Sequence, residues 1–125
     1  MDVYPKESRK YQEEFVDRIE IRDTSEYVSR IVQVSGHTIM IVKVENTHDR
    51  PIIAQVYGNT DDSYDGAMKI GYRFVADYSP DGTVRACSRT FVPERAGYLP
   101  YVFLKLWSKE APTGGNVSIK ILRHR

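Results

Sequence analysis

The sequence predicts an all-β domain, an antiparallel β-sandwich or jelly roll of about eight strands with an extended or partly helical arm at its N-terminus. Three observations predict it. Short apolar runs recur between turn residues at roughly the 8–12-residue spacing of sandwich strands. Within those runs apolar and polar side chains alternate, and no stretch after residue 15 keeps the 3.6-residue period of an amphipathic helix. The 125 residues, 41% hydrophobic and 28% charged, suit one globular domain around one core.

Residues 1–15 are dense in charge and carry Pro5, with apolar side chains only at Val3, Tyr4, Tyr11 and Phe15. They read as an arm, part helical from Ser8, that cannot build a core and gains order by docking on its own domain or on a neighbouring subunit. The domain proper is expected over 16–125. VDRIEIRD alternates through Val16, Ile19 and Ile21, and SEYVSRIVQVSG sets Val28, Val32 and Val34 on one side before a Ser35-Gly36 turn. HTIMIVKVEN is apolar on both faces, as a strand in mid-sheet is. NTHDRP turns the chain into PIIAQVYGN, where Ile52, Ala54 and Val56 share a face.

The polar loop GNTDDSYDG leads to AMKIGYRFVADY, in which period two places Ile70, Tyr72 and Phe74 together. Ser79-Pro80-Asp81-Gly82 is a turn, with Pro presetting φ and Gly able to take a positive one. TVRACSRTFV follows, then PERAG. YLPYVFLKLW puts Val102, Leu104 and Leu106 on one face and Tyr101, Phe103 and Trp107 on the other. After APTGG the last strand alternates through Val117, Ile119 and Ile121.

Composition excludes several function classes. Eighteen Lys+Arg against seventeen Asp+Glu leave a net charge of +1, which argues against a general nucleic-acid binder or an anionic-membrane binder. Charge is nevertheless uneven: residues 1–26 are acidic on balance, whereas 105–125 set Lys105, Lys109, Lys120, Arg123 and Arg125 against Glu110 alone. One cysteine, Cys87, rules out an internal disulfide and a multi-cysteine zinc site, and its place inside a strand suits a small core residue. No apolar run has the length of a spanning helix, and the N-terminus lacks the apolar segment of a signal peptide, so a virion or cytoplasmic location is expected.

Candidate chemistry is sparse. Asp61-x-Ser63-x-Asp65-Gly66 matches the start of a calcium loop, but Tyr72 stands where the bidentate Glu belongs and no helices flank it, which excludes an EF-hand. A looser calcium loop stays open beside the plainer reading of an exposed polar loop. His37, His48 and His124 have no second His or Cys at metal-site spacing. Nucleophile elbows, P-loops and dinucleotide fingerprints are missing, so no catalytic residue, cofactor or metal is expected. The richer signal is aromatic: nine Tyr, four Phe and one Trp. Tyr57 and Tyr64 beside Asp62 form a candidate glycan site, with rings to stack on a sugar and a carboxylate to bond its hydroxyls. Tyrosines equally suit subunit interfaces, and Tyr4, Tyr11 and Phe15 are the candidate interface residues of the arm.

From Val44 to Ile121 the chain carries VENTHDRPIIAQVYGNTDD, then YLPYVFLKLW, then APTGGNVSIKI. On these stretches, an N-T-x-D-x-P turn before a strand and a P-T-x-G loop between the last two, it resembles β-sandwich domains of phage virion accessory proteins and microbial surface proteins. The resemblance implies a decoration, tail, fibre or attachment module and brings no catalytic residues with it. A non-enzymatic assembly subunit with protein partners, self-associated or bound to capsid or tail proteins, is the expected function. A carbohydrate-binding module using residues 57–66 is the alternative.

Overall fold

The computed structural model describes residues 11–34, 39–78, 85–91 and 99–124, and these hold nine strands and no helix. They are β1 (Tyr11–Ile19), β2 (Tyr27–Val28), β3 (Val32–Gln33), β4 (Ile39–Asn46), β5 (Ile52–Asn59), β6 (Met68–Ala76), β7 (Arg85–Phe91), β8 (Tyr101–Trp107) and β9 (Val117–His124). One sheet runs β1-β9-β4-β7; the other runs β2-β8-β5-β6, with β3 also on β8. Every pairing is antiparallel.

The pairs β1–β9, β2–β8, β4–β7 and β5–β6 are nested around the β5–β6 turn, as in one long hairpin rolled on itself. Lateral pairs β4–β9 and β5–β8 close the roll. β5–β6 is the only connection between consecutive described strands of ordinary length that stays within one sheet. This is a jelly roll, and the β5–β6 loop sits at its apex.

Strand alternation supplies the core. Val16, Met40, Val42, Val44, Val117, Ile119 and Ile121 line one inner face, and Ile52, Ala54, Val56, Ile70, Phe74, Val102, Leu104 and Leu106 line the other. Each large aliphatic chain taken from water this way contributes about 1.5–3 kcal/mol.

Three local expectations need correction. Strand β1 begins at Tyr11 and crosses the expected boundary between residues 15 and 16, because its backbone pairs with β9 from Tyr11↔His124 onward, so no helical turn extends past residue 10. The SEYVSRIVQVSG strand is two short ones. Ser29 interrupts it, its N–H donating to the Leu104 carbonyl at 2.9 Å and its Oγ accepting from the Leu104 N–H at 2.9 Å. Val28 is therefore 43% exposed while Val32 is buried. Tyr72 does not join Ile70 and Phe74 inside. Ala54 pairs with Phe74 and Val56 with Ile70, so Gln55 alone faces Gly71, Tyr72 and Arg73, and this bulge with Gly71 at φ 68° puts Tyr72 86% into solvent.

The two turn motifs of the sequence meet in space. The Thr47 N–H donates to the Asn116 carbonyl at 2.9 Å, and the Thr47 hydroxyl accepts from the Asn116 N–H at 2.9 Å. Asp49 accepts from the Thr113 N–H and hydroxyl at 2.9 and 2.6 Å, bonds that hold its carboxyl below the usual carboxylate range. Buried Asn46 caps the turn: its Oδ1 accepts from the His48 N–H and its Nδ2 donates to the carbonyls of Arg50 and Ala76. His48, 1% exposed, lies 2.8 Å through Nδ1 from the Gly114 carbonyl, and its Nε2 faces the Ile21 N–H. Nδ1 is therefore the donor and Nε2 the acceptor, so the ring is neutral, and burial pushes its pKa below the ordinary imidazole value. His48 is a structural joint.

Candidate binding surface

The outer face of the five-stranded sheet carries the aromatic residues. Register puts Tyr57 opposite Phe103 on β8 and opposite Lys69 on β6, so all three rise on the side away from the core. The Tyr57 and Phe103 rings stack with centroids 5.4 Å apart and planes 8° from parallel. Tyr64 meets Phe103 edge-on at 4.8 Å and donates its hydroxyl to the Ser29 carbonyl at 2.9 Å. The Lys105 ammonium stands 4.7 Å from the centre of the Tyr57 ring. Phe103 is thereby 1% exposed although it points away from the core, while Tyr64 stays 50% exposed.

Asn59 makes this arrangement possible. Its Nδ2 donates to the carbonyls of Ser63 and Asp65 at 2.8 and 2.7 Å, and its Oδ1 accepts from the Thr60 N–H at 2.8 Å. One buried amide thus folds the loop back so that Tyr64 lies over the sheet. Gly66, at φ 78°, supplies the reversal. Asp61, Asp62 and Asp65 point their carboxylates to solvent.

Beside it, Gln55 is 5% exposed and donates from Nε2 to the carbonyls of Val56, Ile70 and Gly71 at 3.0, 3.3 and 3.2 Å. It satisfies the carbonyls that the bulge takes off the ladder, and so stabilises the outward placement of Tyr72. Two further residues of β6, Met68 at 57% and Val75 at 51%, are exposed. At the far end of the sheet a cleft of about 410 Å³ is lined by Arg50, Pro51, Ile53, Val75, Tyr78, Ser108, Lys109 and Glu110, with Arg50 Nε 3.1 Å from a Glu110 carboxylate oxygen.

The structure brings Tyr57 and Tyr64 together on Phe103, with Asp62 at the loop surface. Sequence reasoning missed Gln55 and Asn59, whose only signal is a polar side chain at the centre or the end of an otherwise apolar strand. Phe15 is 47% exposed on edge strand β1, its ring centre 5.8 Å from the Arg18 guanidinium. Tyr4, the Tyr11 side chain, His37, the Cys87 side chain and the His124 ring lie outside the described residues. Among the described residues no three His, Cys, Asp or Glu side chains group as a metal site, and no helix is long and apolar enough to cross a membrane.

No family model and no curated protein sequence matches this chain. Solved structures do resemble it in fold. A carbohydrate-binding module described as CBM4 superposes with a TM-score of 0.52 at 13% identity, over 82% of this chain and 64% of its own, so this chain spans somewhat under two thirds of that protein. The SPBc2 prophage-derived protein YomS gives 0.50 at 13% identity over 92% and 95% of the two chains. A cleaved adhesin domain of Lys-gingipain from Porphyromonas gingivalis gives 0.50 at 9% identity over 84% and 64%. At such identities the likeness is one of fold, and it agrees with the all-β sandwich described above.

Proposed function

We propose that this chain is a non-enzymatic structural subunit, a virion-associated capsid decoration or tail accessory protein, that docks on protein partners through the aromatic-rich surface around β6. The observation that carries the reading is the exposure of Met68, Tyr72 and Val75 along one edge strand. Large apolar side chains left half or more in water on an edge strand are ones a partner can cover, and each stands to contribute about 1.5–3 kcal/mol if covered fully. The bulge and its Gln55 support hold Tyr72 in that position. Tyr4, Tyr11 and Phe15 belong to the same reading as a second contact from the N-terminal side. A prophage-derived protein among the chains of like fold is compatible with the setting.

The test is co-sedimentation of the full chain with the particle or complex that contains it. Tyr72→Asp and Val75→Asp should each weaken capture, and Tyr72→Asp should do so without moving the unfolding midpoint, since that side chain is already in water. Undiminished capture of both variants sinks the reading.

A second reading is favoured by the Tyr57–Phe103–Tyr64 cluster and by the fold shared with a carbohydrate-binding module. A sugar ring would lie against the exposed half of Tyr64, with Asp62 accepting from its hydroxyls. Glycan-array binding that disappears in Tyr64→Ala, with the fold intact, supports it; an array without hits removes it.

A further inference from the structure

We propose that the partner of the β6 surface is a second copy of this chain, the acidic β5–β6 loop of each copy seated on the cations of the other copy's five-stranded sheet. The proposal rests on the docking reading above and names its occupant.

The two sheets treat their charges differently. On the four-stranded sheet most of the described ones are paired within the chain: Lys120 lies 2.9 Å from Glu45 and 3.8 Å from Glu13, Lys43 lies 3.8 Å from Glu45, and Glu14 is shared between Arg123 and Arg30. The Lys120 bond holds the Glu45 carboxyl below its usual range. Among the described residues, Lys69, Arg73 and Lys105 on the five-stranded sheet enter no ion pair, and neither do Asp61, Asp62 and Asp65 on the adjoining loop. Each unpaired set complements the other in sign and number.

The loop cannot deliver its carboxylates to its own sheet. Asn59 and Ser63 hold its backbone by five bonds, and Tyr64 rather than an aspartate is folded over the aromatic cluster. A two-fold axis beside Lys69 would place each acidic loop over the other copy's Lys69 and Arg73, satisfying both contacts at once, as an isologous interface requires. The bulge at Gly71–Arg73 breaks the edge ladder, so the contact is made by side chains rather than by a continuous intersubunit sheet.

Sedimentation equilibrium of the full chain tests this. The wild type should show a dimer mass, weakened at 1 M salt, where the screening length falls to about 3 Å. Asp61→Lys with Asp62→Lys, and separately Lys69→Asp with Arg73→Asp, should each raise the dimer dissociation constant about ten-fold or more, the effect of several small exposed pairs acting together. An equimolar mixture of the two double variants should recover the dimer, which misfolded protein does not do. A dimer that ignores both variants, or a mixture that fails to recover, overturns the proposal. So does a wild type that stays monomeric to millimolar concentration; if Tyr72→Asp then still releases the chain from its particle, docking stands and self-docking alone has failed. If it does not, both have failed.

Discussion

Replacing Gly115 and Gly66 by alanine, one at a time, separates two costs that a positive φ usually confounds. Both residues sit in the left-handed region, at φ 83° and 78°. A Cβ on Gly66 meets nothing within 4 Å, so Gly66→Ala bears the conformational cost alone, about 1–2 kcal/mol. A Cβ on Gly115 would stand 2.3 Å from the Thr47 carbonyl oxygen, 2.6 Å from its carbon and 2.8 Å from the His48 Cα. All three are backbone, so relief requires the 47–48 segment to withdraw. That withdrawal breaks the Thr47–Asn116 bonds and the His48–Gly114 bond, each worth about 0.5–1.5 kcal/mol net.

Gly115→Ala should therefore cost about 3–6 kcal/mol, a large part of the roughly 5–15 kcal/mol that holds a domain of this size. Urea denaturation followed by the fluorescence of the single tryptophan, Trp107, measures both variants, with circular dichroism confirming that each folds. Equal losses for the two would refute the reasoning, because they would mean that the 47–49 turn and the 113–116 loop are not in backbone contact.

Acidification should weaken the fold in a window set first by His48. Its folded pKa lies below the 6.5 of a free imidazole, so the unfolded chain binds the proton more readily; stability is full above pH 6.5 and falls as pH drops through that value toward the folded pKa. A flat urea midpoint between pH 7 and 5 would contradict this, as would the same decline in His48→Asn. Gln55→Leu leaves the carbonyls of Val56, Ile70 and Gly71 without their donor and should cost about 2–3 kcal/mol in chemical denaturation; no loss would remove the amide from its role in the bulge. Deleting residues 1–15 strips half of β1 from β9 and should lower the unfolding midpoint clearly. An unchanged midpoint would put the start of the ladder elsewhere.

The jelly roll was legible because its core strands obey period two. Ile52, Ala54 and Val56, then Val102, Leu104 and Leu106, then Val117, Ile119 and Ile121 all fall inward as their alternation predicts. Tyr72 was not legible: two extra residues opposite Gln55 leave Ile70 and Phe74 in phase, so period two still points Tyr72 inward, and Gly71, though visible, does not announce the bulge. The start of β1 was hidden by composition: YQEEF is polar, and it is a strand because β9 offers an unpaired edge about a hundred residues away in the chain. Tyr57 and Tyr64 were visible as a pair near the acidic loop. That both pack on Phe103 depends on the β5–β8 register and on the bonds of Asn59, neither of which local spacing reveals. The Asn46–Asp49 and Thr113–Asn116 stretches were visible as separate turn motifs, and their contact follows from nesting β4–β5 against β8–β9.

Docking through β6 is tested most directly by a photo-reactive phenylalanine analogue at position 72 of the full chain, with the same probe at position 64 as the comparison. Irradiated in the assembled state, the probe at 72 should form protein adducts in high yield and the fold should be undisturbed. No adduct at 72, whatever forms at 64, would contradict the account.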